Sequence, residues 1–262
     1  MPRPFTDAET IRAAAIFQGC SGFYFRQRVQ TKLAVALRAS RLYNFLHQGK
    51  KGINMPYSFS REAIPDFLSL LSSDQPVPGG GGASALVGAI GISLGSMVGA
   101  LTCRNPKYDE VKPEITDLIN QAENIRLQLC MCIDADAEAF EPLSRAYRLP
   151  KDAPGRDAIM EDCLKTAASV PLRILHLCAD SIDLQKRFAE TGARIAVSDA
   201  ATGIAFCLSA LEGAAVNVLV NTKYMKNREY ADQINAEVET VRSACRQKAE
   251  SVYSSVYEGL LK

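Results

Sequence analysis

A single carboxylate interrupts a long apolar helical stripe, and it is the first position at which this sequence could do chemistry. Apolar side chains between residues 115 and 143 recur every three or four positions, which predicts a helix face turned to the core, and Asp136 falls on that face. A buried charge there is costly unless it is paired, hydrogen-bonded or open to a cleft. The spacing leaves two interpretations open, a structural ion pair or a residue of a functional site.

Two amides form a second polar interruption near the end of the chain. Gly213, Asn217 and Asn221 follow one another at intervals of four within an apolar run, so they share one helix face. Buried Asn side chains usually satisfy backbone groups or a neighbouring helix, and ligand contact is the second interpretation. Ser198 and Asp199, which precede this run, are first typical of a helix N-cap and then of a ligand contact.

A run of four glycines, Gly79–Gly82, comes just before an apolar helical segment. No Gly-Lys-Ser/Thr follows it and no strand precedes it, so it is neither a nucleotide phosphate loop nor a dinucleotide fingerprint. Backbone N–H groups at the start of a helix attract anions and carbonyl oxygens. The run is therefore a candidate ligand contact.

Helices must position these residues, because the sequence lacks the alternation of β-branched and polar residues that strands show. Apolar spacing predicts helices near 60–73, 83–103, 113–147, 157–190, 199–221 and 228–261. Pro and Gly mark the breaks between them. We predict an all-α fold, a helical bundle of long antiparallel helices.

The segment 83–103 carries no charged residue and is long enough to cross a membrane. Its glycines, however, are spaced by three and four and share one face, which lets another helix backbone approach: Gly88, Gly91, Gly95 and Gly99. No aromatic belt flanks the segment. We expect a buried core helix and no membrane partner.

The charge of the chain is balanced overall but uneven along its length. The net charge of +1 gives no global field that would favour nucleic acid. Residues 1–54 hold nine Lys and Arg against two Asp and Glu, which is a basic N-terminal extension before a domain at 55–262. We favour an untranslated or disordered extension, with Met55 as the start, over a targeting peptide.

Eight cysteines lie mostly within predicted helices rather than at paired loop spacings. Cys130 and Cys132 are two positions apart, so on a helix they point in different directions and do not suit one metal ion. We expect reduced, buried thiols and no metal site.

Several blocks in a fixed order give the chain a family likeness. From residue 58 onward it resembles the formiminotetrahydrofolate cyclodeaminase / methenyltetrahydrofolate cyclohydrolase family. The blocks that carry the likeness are Pro76–Ala85, Gly95–Val98, Asp134–Phe140, Leu149–Lys151, Ser169–Leu172, Ser198-Asp199 and Asn217–Asn221.

This resemblance implies a helical, cytoplasmic homodimer that acts on a tetrahydrofolate derivative, with or without a polyglutamate tail, and with no cofactor beyond that substrate. The expected reaction converts 5-formiminotetrahydrofolate to 5,10-methenyltetrahydrofolate with release of ammonia. The alternative is the cyclohydrolase reaction, in which water opens the methenyl bridge to give 10-formyltetrahydrofolate. A further alternative is a non-catalytic folate-binding or scaffolding protein that kept the fold, although a scaffold would gain from an apolar residue at position 136.

The resemblance also suggests roles for the candidate residues. Asp136 is the expected acid/base and electrostatic group, with Asp134, which lies off the apolar stripe, as its substitute. The expected substrate-binding residues fall into three groups: the glycines Gly79, Gly80, Gly81 and Gly82 for an anionic or carbonyl group; Asp199, Asn217 and Asn221 for the pterin; and Arg104, Lys107 and Lys151 for the glutamate tail. For the three basic residues, a solvated surface role is the alternative.

Overall fold

The computed structural model describes residues 58–262, and these fold into six α-helices. The helices are α1 (Ile64–Leu71), α2 (Gly80–Arg104), α3 (Lys112–Ala146), α4 (Arg156–Thr191), α5 (Val197–Thr222) and α6 (Arg228–Leu260). Short 3-10 turns lie at Phe59–Arg61, Pro106–Val111 and Arg194–Ala196, and no strand is found between residues 58 and 262. The predicted all-α class is confirmed. The basic extension 1–54 and the domain start at 55 fall outside the described residues and stay predictions.

Two helix starts differ from the sequence prediction. The first helix begins at Ile64, because Pro65 fixes a helical φ in its first turn while lacking an N–H to bond. The second begins at Gly80, three residues earlier than predicted, so the glycine run forms the first turn of α2 instead of preceding it. Glycine has a low helix propensity, and contacts of these glycines with α3 and α5 override it here.

Successive long helices run antiparallel. Gly81 at the start of α2 lies against Asp136, late in α3, whereas Gly99 near the end of α2 lies against Ile119, early in α3. The order of contacts is reversed in the same way between α4 and α5. One end of the bundle, here called the glycine end, therefore brings together the start of α2, the late part of α3, the early part of α4 and the late part of α5.

Glycines allow α2 to approach its neighbours closely, as the predicted glycine stripe required. A Cβ on Gly91 would lie 2.9 Å from the carbonyl oxygen of Gly203 and 3.0 Å from the backbone nitrogen of Cys207. The fully buried Gln185 of α4 donates its Nε2 hydrogen to the carbonyl of Gly91 at 2.5 Å. Backbone, rather than side chains alone, thus forms the α2–α5 contact and fixes the register of the core.

Two described helical stretches are long and apolar enough to cross a membrane by length and composition, Gly80–Arg104 and Arg194–Thr222. Each has a mean hydropathy of 1.8, and 44% of the most apolar window is buried inside the bundle. The remaining surface includes exposed apolar side chains: Ile90, Met97, Phe206, Val216 and Val220. Core helices of soluble proteins pass the same test. Ala85, Ala89, Ile92 and Val98 of α2 belong to the hydrophobic core, as predicted. The absence of a membrane partner stays a prediction.

Candidate functional site

A cavity at the glycine end gathers six of the twelve candidate site residues singled out in the sequence. It has a volume of about 180 Å³ and lies between α2, α3, α4 and α5. Its polar lining consists of Gly79, Gly80, Gly81, Asp136, Asn217 and Asn221. We call it the glycine cavity. Residues from three separate blocks of the sequence meet here because the antiparallel packing superimposes opposite ends of successive helices.

The carboxylate of Asp136 is the ionisable group of this cavity. It is half-buried, and its Oδ2 accepts a hydrogen bond from the backbone N–H of Gly82 at 3.0 Å. No Lys, Arg or His side chain within residues 58–262 forms an ion pair with it, so the ion-pair interpretation finds no partner there. Burial raises the pKa of Asp136, and the Gly82 hydrogen bond lowers it in part.

Two adjacent glycines make room for two polar side chains. A Cβ on Gly81 would lie 2.2 Å from Oδ1 of Asp136 and 2.5 Å from Oδ2, which is inside contact distance. A Cβ on Gly80 would lie 2.8 Å from Nδ2 of Asn217. Neither glycine has a positive φ. The glycine run is therefore required by space, not by an unusual backbone conformation.

The backbone N–H groups at the start of α2 differ in their hydrogen bonding. The first residues of a helix have no intrahelical acceptor for their N–H groups. The N–H of Gly82 is taken by Asp136, and Gly82 does not line the cavity. Gly79, Gly80 and Gly81 line it, and no protein acceptor for their N–H groups is found among the described residues. Three of the four predicted N–H contacts are thus available to a ligand.

The side chains of Asn217 and Asn221 bond to backbone and also keep a free acceptor for a ligand, so both interpretations from the sequence apply. Nδ2 of Asn217 donates to the carbonyl of Gly213 at 2.8 Å, and Nδ2 of Asn221 donates to the carbonyl of Asn217 at 2.8 Å. These are backbone contacts within α5. Neither Oδ1 atom receives a hydrogen bond from residues 58–262, so each amide keeps an acceptor for a ligand.

Asp134 lies on a different face of α3 from Asp136. Two helical positions correspond to about 200° of rotation. Its carboxylate accepts hydrogen bonds from the Oγ atoms of Ser58 and Ser60 at 2.9 and 2.5 Å, and from the N–H of Ser60 at 3.2 Å. Asp134 therefore anchors the segment before α1, and it does not line the glycine cavity.

The structure does not bring the other predicted substrate-binding residues to this cavity. Asp199 lies in the first turn of α5, about 27 Å of helix before Asn217, at 1.5 Å per residue. Arg104 ends α2 and Lys107 follows it, so both lie at the opposite end of the bundle. Lys151 lies in the connection between α3 and α4 at the glycine end, with an exposed side chain outside the cavity lining. Their roles in folate binding stay predictions, and only Lys151 is near this end.

Sequence reasoning missed the apolar walls of the cavity. Phe140, Pro171 and Val220 line it together with Val77 of the loop before α2. Phe140 had a detectable signal, because it lies one helical turn after Asp136 and therefore on the same face. Pro171 and Val220 could not be separated from ordinary core residues by their spacing.

No cluster of three or more His, Cys, Asp or Glu side chains suited to a metal ion occurs in the part of the chain that the structure describes. The seven cysteines there are free. Burial raises the pKa of Cys207 to about 12, so its thiol is neutral at pH 7 and suits packing better than metal binding. The expected absence of a metal and of a further cofactor stays a prediction.

Known proteins share both the sequence and the fold of this chain. The formiminotransferase-cyclodeaminase family matches residues 63–240. The methenyltetrahydrofolate cyclohydrolase of Methylorubrum extorquens is 37% identical over 199 residues, which are 74% of this chain and 96% of that protein. The formimidoyltransferase-cyclodeaminase of Mus musculus is 27% identical over 198 residues, and the match spans 37% of that longer protein.

A solved structure has the same helical fold. The crystal structure of a formiminotetrahydrofolate cyclodeaminase from Thermotoga maritima superimposes with a TM-score of 0.66 at 28% sequence identity. The superposition covers 75% of this chain and 98% of that one. The described helical domain thus corresponds to that whole protein.

We predict that Asp136→Asn is as stable as the wild type near pH 7, or more stable. Because burial raises the pKa of Asp136, its contribution to stability is complete below the ordinary aspartate value of 3.8 and is lost as the pH rises through the raised value. A neutral amide avoids that loss. Urea unfolding from about pH 3 to about pH 8 should show a difference that grows as the pH rises above 3.8.

Asp134→Asn is the matched control for this measurement. Its carboxylate accepts three hydrogen bonds from Ser58 and Ser60, which an amide would keep only in part, so this variant should be less stable than the wild type. A lower stability of Asp136→Asn across the whole pH range would contradict the interpretation of Asp136 as an unpaired carboxylate.

Proposed function

The chain belongs to the formiminotransferase-cyclodeaminase family, and we propose that its reaction is the hydrolysis of 5,10-methenyltetrahydrofolate to 10-formyltetrahydrofolate. Its relatives are named for two reactions of folate-bound one-carbon units, so the chain is a folate one-carbon enzyme of the cyclodeaminase or cyclohydrolase kind. The choice of hydrolysis is supported by the 37% identity to a cyclohydrolase over nearly its whole length, against 27% for the mouse cyclodeaminase.

The observation that carries the proposal is the carboxylate of Asp136 in a cavity without a cationic partner from residues 58–262. The substrate's methenyl carbon is part of a delocalised N–C–N cation. A cation of this kind would complete the charge balance of the cavity, because a buried carboxylate gains most from an opposite charge close by. The same carboxylate would hold the substrate and take part in proton transfer.

The proposed hydrolysis has three proton and bond changes. Water attacks the methenyl carbon and passes a proton to Asp136, which leaves a neutral tetrahedral carbon bearing a hydroxyl. The bond from this carbon to N5 then breaks, its electron pair stays on N5, and N5 takes up the proton held by Asp136. The hydroxyl proton leaves to solvent as the formyl carbonyl forms on N10. A carboxylate with a raised pKa suits this exchange, because it accepts and returns a proton more readily near neutral pH.

The rest of the cavity would orient the pterin. The free Oδ1 atoms of Asn217 and Asn221 would accept hydrogen bonds from pterin N–H groups. The N–H groups of Gly80 and Gly81 would donate to the pterin carbonyl oxygen. Phe140 and Val220 would cover its apolar faces.

The second candidate function is the cyclodeaminase reaction, which the superposition on the Thermotoga maritima cyclodeaminase favours. In that reaction N10 of 5-formiminotetrahydrofolate attacks the formimino carbon, and ammonia leaves after protonation. Asp136 would supply the proton in this case too. The two reactions differ in the attacking atom, which is water in one and N10 in the other, so the substrate itself must decide between them.

The proposal includes a folate substrate, with or without a polyglutamate tail, no cofactor beyond it, a cytoplasmic location and a homodimer. A second copy would cover the exposed apolar side chains of α2 and α5, such as Met97 and Val216. Val220 of α5 is both half-exposed and part of the cavity lining.

Two absorbance assays on the purified protein test the function. With 5,10-methenyltetrahydrofolate, we expect the methenyl absorbance to fall faster than in buffer. With 5-formiminotetrahydrofolate, a rise in methenyl absorbance with release of ammonia would instead establish the cyclodeaminase. If neither substrate reacts faster than in buffer, the proposed function is wrong.

Two substitutions test the role of the carboxylate. We predict that Asp136→Asn lowers kcat by about 10²- to 10⁴-fold, the range for loss of a general acid or base. Gly81→Ala should lower kcat as well, because its Cβ would occupy the position of the carboxylate and displace it.

Gly259→Ala, whose Cβ has no atom within 4 Å, is the matched control and should keep wild-type kcat. Circular dichroism should show the same helix content in all three variants. Turnover close to wild type in Asp136→Asn would remove Asp136 from the mechanism.

A further inference from the structure

A second cavity lies at the glycine end, outside the site described above. Its volume is about 240 Å³. Its polar and aromatic lining consists of Tyr147, Arg156, Asp157, Glu161, Tyr224 and Lys226. We call it the tyrosine cavity. None of its residues was singled out by the sequence, and the proposed reaction does not use them.

The same helices contribute to both cavities. Phe140 of the glycine cavity lies on α3, and Tyr147 of the tyrosine cavity directly follows the end of that helix. Asn217 lies on α5, and Tyr224 lies two residues beyond its end. On α4 the lining residues of the two cavities follow one another at intervals of three and four, which places them on one face: Arg156, Met160, Leu164, Ala167 and Pro171. The two cavities are therefore neighbours along α4 at the glycine end of the bundle.

The volumes of the two cavities indicate that a folate needs both of them. Pockets that enclose a drug-sized ligand have volumes of about 300 to 1,000 Å³. The glycine cavity at about 180 Å³ falls below that range, and so does the tyrosine cavity at about 240 Å³, whereas the two together fall within it. The glycine cavity has room for the bicyclic end of a folate, and the aryl ring and glutamate must continue elsewhere.

One cation in the tyrosine cavity is not used in an ion pair. Lys226 pairs with Asp157, and Glu161 accepts hydrogen bonds from the backbone N–H groups of Lys226 and Asn227. Arg156 donates its Nε hydrogen to the carbonyl of Leu149 at 3.3 Å, and it forms no ion pair within residues 58–262. Its remaining N–H groups are directed at no protein acceptor there, which leaves a planar donor suited to a carboxylate.

Two aromatic rings flank the same cavity. Tyr147 is 50% exposed and Tyr224 is 58% exposed, although both border a concave surface. Burial raises the pKa of the Tyr147 hydroxyl, and both side chains line the same cavity. A pair of accessible rings beside an unpaired arginine matches a ligand with an aryl ring and a carboxylate.

From this arrangement we propose that the tyrosine cavity binds the aryl-glutamate part of the folate substrate. Tyr147 and Tyr224 contact the aryl ring, and Arg156 binds the glutamate carboxylate. The inference rests on the proposed function and assigns the tail to the glycine end of the bundle, away from Arg104 and Lys107.

The test is binding and kinetics with Arg156→Gln in the full chain. We expect N-(4-aminobenzoyl)-glutamate to bind the wild type in isothermal titration calorimetry, and Arg156→Gln to weaken this binding about 10- to 100-fold, as for loss of a charged hydrogen bond. The KM for whichever folate substrate turns over should rise by a similar factor, with kcat within about twofold because the reacting carbon is remote. With the same substrate lacking glutamate, the KM of variant and wild type should agree.

Three further variants make the result decisive. Arg194→Gln, an exposed arginine at the opposite end, should leave binding and KM unchanged. Arg156→Lys should recover part of the affinity, since it keeps the charge but not the planar donor. Tyr224→Ala, at a half-exposed position, should weaken 4-aminobenzoyl-glutamate binding about three- to tenfold and serves if Arg156→Gln does not fold.

The outcomes separate this inference from the proposed function. Turnover with an unchanged KM in Arg156→Gln would overturn the tail assignment and leave the function intact. A rise in KM in Arg104→Gln alone, at the arginine that the sequence assigned to the tail, would do the same. Arg156-dependent binding of 4-aminobenzoyl-glutamate without turnover of either folate would support the cavity assignment and reject the function. Absence of binding by the wild type would overturn the inference.

Discussion

The hydrogen bond from the Gly82 N–H to the carboxylate of Asp136 is the contact on which the site depends. It joins the start of α2 to the late part of α3 and places a negative charge at the positive end of a helix. Burial acts in the opposite direction and disfavours the charged form. The result is a carboxylate that is held in place by backbone but keeps one oxygen for the cavity and remains ready to exchange a proton.

This hydrogen bond restricts which residues can occupy the positions around it. Gly81 must lack a side chain because Asp136 occupies the space a Cβ would take, and Gly80 must lack one because Asn217 lies there. The close approach of α2 to α5 at Gly91 holds the two helices at the distance that brings Asn217 to the glycine run. The charge-free composition of α2 thus reflects backbone packing on several sides, while its exposed face leaves an apolar surface available for a second copy.

Periodicity predicted the helices and singled out Asp136 as a member of either an ion pair or a site, because both follow from which side chains can face a core. The interval of four between Asn217 and Asn221, and the place of Asp136 on an apolar stripe, are local properties of a helix. The antiparallel order was predicted, but the sequence could not predict which of the helices surround one cavity. Asp199, Arg104 and Lys107 were grouped with the cavity by family resemblance, but antiparallel packing places them at the opposite end. Tyr147, Arg156 and Tyr224 come from three helix ends, and only their packing brings them to one cavity.

The most direct measurement of the central claim is a carbon-13 NMR titration of the Asp136 carboxyl carbon in the ligand-free protein, assigned by its absence in Asp136→Asn. An unpaired, half-buried carboxylate should titrate with a midpoint above the ordinary aspartate value of 3.8, because burial outweighs the hydrogen bond from Gly82. A midpoint at or below 3.8 would mean that the protein itself stabilises the anion. It would contradict the claim that Asp136 lacks a cationic partner until the folate binds.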